Sequence, residues 1–219
     1  MGAGVNRRLA LLAKGHQGNP REGLSALERR DSARFRIWVA YNLLAAPNPL
    51  VFPGKNIWVD KVPTKVAFFA WEATWEKILT LDRLQKRGWQ LPNRCFLCGC
   101  EEENVNHILL HCTVARALWE IAFALFGVQW VFPKKVKEAL FCWQGPFVGK
   151  KRKKIWKSIP LWIFWTVWKE RNGLAFRGGS LAIQTLKNSF VCSLWNWAKL
   201  YRGEESSSLL GFLEWVAVP

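Results

Sequence analysis

Cys95-Phe96-Leu97-Cys98-Gly99-Cys100 and, a few residues on, Asn106-His107-Ile108-Leu109-Leu110-His111-Cys112 decide how this chain folds. Cys95 and Cys98 are two residues apart, eight residues separate Cys98 from His107, and four separate His107 from Cys112. Three thiolates and one imidazole fill the tetrahedral sphere of a Zn2+ ion and leave no open position for a catalytic water. The set therefore points to a metal-stabilised module and away from a zinc enzyme. A Cys-x-x-Cys pair in a tight turn puts both sulfurs on one side, and Gly99 suits such a turn. His107 and Cys112 stand five residues apart, which no single helical face accommodates. The chain must bend near Cys112, with Thr113 a suitable N-cap for a new helix. On the residues alone, two alternatives stay open. His111 shares a helical face with His107, and Cys100 is a spare thiolate.

Charge sets the next bound. The 219 residues carry 32 Lys and Arg against 16 Asp and Glu, a net charge of +16 and a pI of about 10.0. That balance speaks for a polyanionic partner, nucleic acid first and an anionic membrane surface second. Half the residues are hydrophobic, which is enough for a core. Fifteen tryptophans need burial with partners for their indole N–H groups, or an interface. Four of the six cysteines crowd between positions 95 and 112, a metal pattern of a reducing compartment rather than a disulfide framework. No secretory signal is read at the N-terminus, where the apolar stretch 9–13 is too short. The longest apolar run, 161–168, stops at Lys169-Glu170-Arg171, short of the roughly 20 residues a membrane span needs. The expected location is intracellular, nucleus or cytoplasm.

Periodicity predicts a mainly α fold: a small zinc-stapled helical domain, a basic linker and a Trp-rich helical pair. Residues 1–32 read as a disordered extension, 33–130 as the metal-stabilised domain, 131–157 as the linker and 158–219 as the Trp-rich region. Phe35, Ile37 and Val39 alternate with Arg34, Arg36 and Trp38 as a short strand would. Pro63 opens a helix with Val66, Phe69, Ala70 and Ala73 on one face and Trp71 and Trp75 flanking. Thr80 caps a second helix that stops at Gly88. Val114, Leu118, Ile121 and Leu125 form the stripe of the helix after the cluster, which Gly127 ends. Further helices are expected from Pro160 to about Arg171, closed by Asn172-Gly173, and from Ser180 to about Tyr201.

Between positions 134 and 157 the net charge is +8, half that of the whole chain. Lys134, Lys135, Lys137, Lys150, Lys151, Arg152, Lys153 and Lys154 are the candidates for phosphate contact, each releasing counterions. The run at 150–154 also reads as a nuclear address or a solvated linker. Trp156, Trp162, Trp165 and Trp168 read as core. Polymerase and ribonuclease H chemistry require clustered carboxylates around two metals. Asp31, Asp60 and Asp82 are scattered, and Glu101, Glu102 and Glu103 read as a solvated acidic turn. No catalytic residue and no small-molecule substrate are expected.

Ordered motifs around the cluster resemble a family. Ile57-Trp58, Lys61-Val62-Pro63-Thr64-Lys65-Val66, Phe68-Phe69-Ala70-Trp71, Cys95-Phe96-Leu97-Cys98, Asn106-His107, His111-Cys112, Ala117-Leu118-Trp119 and Trp168-Lys169-Glu170-Arg171-Asn172 take part. Together they resemble the reverse transcriptase zinc-binding domain of plant LINE-type (non-LTR) retrotransposons. The likeness extends from about Phe35 to Phe176. It implies Zn2+ on Cys95, Cys98, His107 and Cys112, favouring His107 over His111. It also implies a nucleic-acid-binding module, RNA or DNA, without the catalytic domain that would precede it in a polyprotein. Thr113 departs from the proline common there, and either residue can open a helix. A structural or protein-interaction zinc module, or a decayed retroelement fragment, is the alternative.

Overall fold

Pro63 is pre-set for a helix start and lacks the N–H that a first turn would leave unused. In the computed structural model, which describes residues 52–143, 150–202 and 208–217, it stands immediately before a helix. The described helices are α1 (Gly54–Ile57), α2 (Thr64–Thr74), α3 (Leu81–Gln85), α4 (Thr113–Phe126), α5 (Val136–Cys142), α6 (Lys150–Arg177), α7 (Ile183–Arg202) and α8 (Leu209–Ala217). A π-helical turn, His107–His111, precedes α4. No strand occurs among the described residues, so the expected mainly α class is what forms. The strand and the disordered extension expected near the N-terminus lie outside the described residues.

Helix α6 organises the rest. It packs against α2, α4, α7 and the π-turn, while α8 lies on α4 and α7. Ile155, Trp156, Ile159, Leu161, Trp162, Ile163, Phe164 and Val167 are all buried, so this stretch is apolar around its whole circumference. Such a helix belongs inside a protein, because each of its faces needs a cover. At about 1.5–3 kcal/mol for each large apolar side chain removed from water, this helix dominates the burial. Trp119, Phe123, Phe132, Trp143, Trp156 and Phe164 form one continuous ring cluster against it, with Trp143 stacked on Trp156 at 4.2 Å.

Several boundaries differ from the sequence reading, each for a physical reason. Helix α6 starts ten residues before Pro160, which therefore sits inside it. A proline there removes the N–H that would bond to the carbonyl four residues back, that of Trp156. The Trp143 indole Nε1–H donates to that carbonyl at 2.8 Å, so the gap is filled. Asn172-Gly173 do not close α6; it runs to Arg177, and Gly178 turns out of it with φ 69°. The basic segment expected as a linker is partly helical, containing α5, with Val136, Ala139, Leu140 and Cys142 buried, and the start of α6. The buried stripe of α4 is Val114, Ala115, Leu118, Trp119 and Ala122, with Ile121 and Leu125 only half-buried. Helix α8, with Phe212 and Val216 buried, was not anticipated. On α2 the inner face is as expected, and α4 ends at Gly127 with φ 62°.

Candidate metal centre

The cysteine turn is built by its own backbone. Gly99 N–H donates to the Cys95 carbonyl and Cys95 N–H to the Glu101 carbonyl, both at 2.8 Å. Gly99 takes φ 66°, the left-handed conformation where glycine is without strain. Cys98 is thereby folded back toward Cys95. The second half comes from the π-turn, whose wider winding carries His107 inward. The Cys112 N–H reaches back to the His107 carbonyl at 2.7 Å. The chain bends at Cys112, which itself is the N-cap of α4 with φ −55° and ψ 135°. The cap thus lies one residue earlier than expected, and Thr113 is the first helical residue.

These two pieces bring Cys95, Cys98, His107 and Cys112 together, with one ligand-capable atom from each lying within 4.8 Å of the others. Cys95, His107 and Cys112 are buried and Cys98 is half-buried. His107 Nε2 lies 3.4 Å from Cys98 Sγ. Its other ring nitrogen, Nδ1, is 3.0 Å from Glu101 Oε2, without the alignment of a hydrogen bond. A carboxylate behind a metal-binding imidazole fixes the ring orientation and raises its basicity. His111 is turned away, its Nε2 3.2 Å from the Lys134 carbonyl, and Cys100 is exposed with its thiol toward the Cys98 carbonyl. Neither joins the cluster.

Proton sharing within the four side chains is uneven. The Cys95 thiol is pushed up to about 12, first because it is hydrogen-bonded to Cys112 and then by burial. Cys112 is held below the ordinary thiol range, first by that same bond and further by the Val114 and Ala115 amides at the start of α4. Anionic sulfur at a helix N-terminus is the favourable arrangement. His107 is raised to about 9, chiefly by its contact with Cys95. A thiolate-rich, soft donor set of this kind fits a tetrahedral metal, which displaces the shared protons on binding.

Two charged residues that the sequence reading missed tie this knuckle to the fold. Glu103 is fully buried rather than part of a solvated turn, whereas Glu101 and Glu102 are exposed. Its Oε1 accepts from Arg171 Nη2 at 2.7 Å and Nε at 3.0 Å, and from the Leu81 N–H at 3.1 Å. The carboxylate therefore caps α3, whose N-cap Thr80 turns its hydroxyl to Asp82 instead. Arg171 lies against the Phe96 and Trp168 rings. Neither residue stands out locally, since Arg171 follows Lys169 and Glu170, and Glu103 ends a run of three glutamates.

The basic candidates split. Lys134 and Lys135 are exposed on the turn into α5, and Lys137 Nζ lies 5.3 Å from the Trp75 ring centroid. Lys150, Lys151, Arg152, Lys153 and Lys154 open α6; Lys153 and Lys154 are exposed, while the Arg152 guanidinium donates to the Val216 carbonyl. Trp156 and Trp162 are core, and Trp165 and Trp168 are half-buried.

Residues 35–119 match the family model described as zinc-binding in reverse transcriptase. This segment is thus a reverse-transcriptase-type zinc-binding domain, and the Cys95, Cys98, His107 and Cys112 cluster, which could hold a metal, falls inside it. Over 186 residues, 83% of this chain, it is 26% identical to a protein of Arabidopsis thaliana named "Putative ribonuclease H protein". The chain spans 29% of that relative's length. No solved structure matches it.

Proposed function

We propose that this chain is a Zn2+-binding, nucleic-acid-binding module without a catalytic centre of its own, derived from a LINE-type retroelement polyprotein. Cys95, Cys98, His107 and Cys112 would hold the ion, which supplies a closed structural crosslink. The observation that carries the nucleic-acid reading is the attachment of a basic turn to the metal knuckle. Asn106, next to the ligand His107, accepts from the Val136 N–H at 2.9 Å, and His111 contacts the Lys134 carbonyl. The knuckle thus holds the turn that carries Lys134 and Lys135, both exposed, and these would meet phosphate. The net charge of +16 supports a polyanionic partner over a neutral one.

No catalysis is assigned. Asp82 is engaged by Lys86 and Thr80, and Glu103 by Arg171, which leaves neither placed to hold a catalytic metal. The name of the Arabidopsis relative describes a protein of which this chain covers a minor part. Free cysteines suit a reducing intracellular compartment, nucleus or cytoplasm. Among the described residues no helix is long and apolar enough to cross a membrane, and no membrane partner is proposed.

A salt titration tests this reading. Affinity for RNA and DNA should fall steeply with salt, by about 0.9 of a counterion per duplex phosphate contacted and about 0.7 per single-strand phosphate. Replacing Lys134, Lys135 and Lys153 by alanine should flatten the slope by roughly two to three contacts and weaken all sequences alike. Binding equal in parent and variant, or no binding by either, would move the protein-interaction reading ahead.

A further inference from the structure

Helix α2 has two apolar faces, of which the fold buries one and leaves the other partly exposed. Val66, Phe69, Ala70 and Ala73 are buried against the rest of the domain. Phe68 and the half-buried Trp71 on α2, and Trp75 at its C-cap, spaced by three and then four residues, form a second stripe on the outer side. Phe68 is 47% and Trp75 44% exposed, unusual values for large rings on a helix so well packed elsewhere. The Phe68 and Trp71 ring centroids are 5.1 Å apart with their planes 36° from parallel. The stripe therefore presents adjacent aromatic surfaces to solvent.

Charge accompanies the rings. At the C-terminal end of α2, the Lys137 ammonium sits 5.3 Å from the Trp75 centroid. Asn106 sets that register: its amide donates to Glu76 Oε1 at 3.4 Å, just past Trp75, and its carbonyl oxygen accepts from Val136 N–H. The turn bearing Lys134, Lys135 and Lys137 is thus pinned beside the end of the stripe. Lys65, on the first turn of α2, and Lys77, just beyond Glu76, are exposed as well. The acidic neighbours are Glu72, half-buried, and Glu76, engaged by Asn106. Aromatic faces interleaved with lysines are what an unpaired strand requires, since its bases stack on rings while its phosphates track the cations. A duplex has its bases already stacked and offers only the phosphates.

We propose that the outer stripe of α2 is a stacking platform for single-stranded nucleic acid. Bases lie on Phe68, Trp71 and Trp75, and the backbone runs toward Lys137, Lys135 and Lys134. This rests on the nucleic-acid reading above and specifies which form is bound and where.

The test uses the full, metal-loaded chain, labelled oligothymidine and oligouridine strands, and a mixed-sequence duplex, with affinity read by fluorescence anisotropy across a salt series. Phe68→Leu with Trp75→Leu keeps apolar bulk and removes the rings. The double variant should weaken single-strand binding about tenfold or more, leave duplex binding unchanged, and keep the salt slope, since stacking releases no counterions. Trp75→Phe should retain most of the affinity. Unchanged metal content and far-UV circular dichroism establish that the variants fold. Equal losses on strand and duplex, or no loss on either, would overturn the platform while leaving the phosphate reading intact. A parent chain that binds neither form removes both. If the double variant converts a dimer to a monomer without touching strand affinity, the stripe belongs to a second copy and the platform is again overturned.

Discussion

Cys112 shows how much one residue can carry. It completes the Cys/His cluster, breaks the π-turn, and caps α4 so that its sulfur faces the Val114 and Ala115 amides. Spacing in the sequence indicated a bend there, because five residues cannot share a helical face. Spacing could not place the cap, because either Cys112 or Thr113 satisfies the same rule. The choice between His107 and His111 was likewise open on spacing alone; in the structure the π-turn widens the winding and turns His107 inward. From this geometry, one zinc per chain is expected by elemental analysis of the purified protein. Cys98→Ser should lose the metal and destabilise the fold, and His111→Ala should keep both. Full metal content in the Cys98 variant would dismiss the assignment.

Among elements, α6 and the knuckle are joined by a charge pair that sequence reading placed in solvent. Glu103 is one of three consecutive glutamates, a pattern that on the page looks like a surface turn. Its charge is balanced in the interior by Arg171, 68 residues away. Such a long-range pairing leaves no local trace, which is why it escaped. Glu103→Ala should cost about 3–5 kcal/mol, since it leaves a buried guanidinium without its anion. Glu103→Ala with Arg171→Leu should lose less than the sum of the two single changes. Urea unfolding of the four proteins measures this; strict additivity would show that the pair is not coupled. The helices, by contrast, were largely legible from their apolar periods. Their ends were not, because the indole of Trp143 lets α6 run through Pro160, against a rule based on backbone alone.

For the whole molecule, the metal centre is not an appendage. The π-turn packs on α4 and α6, the Trp119 indole donates to the Leu109 carbonyl at 3.0 Å, and Glu103 reaches both α3 and α6. Metal binding in small modules is inseparable from folding free energy. Chelation should therefore lower the melting temperature of the helical domain as a unit, with near-UV tryptophan signals lost together with far-UV helicity. Calorimetry of loaded and stripped protein checks this. A helical transition unmoved by metal removal would mean that the knuckle folds separately. The charge total pointed to a polyanion from the outset, but not to any face. Only folding gathers Lys134, Lys135 and Lys137 beside the end of α2 while committing Arg152 to the Val216 carbonyl.

Pro160 and Trp143 have a consequence in the currency of inheritance. The proline leaves a carbonyl open in the middle of a buried helix, and the indole closes it from another helix's end. Replacing the proline would return the helix its own N–H, which would then share that carbonyl with the indole. Replacing the tryptophan would leave the carbonyl bare. The proline and the indole thus act on one and the same carbonyl. Two positions in different elements thereby constrain one another, and what is tolerated at 160 depends on which residue stands at 143.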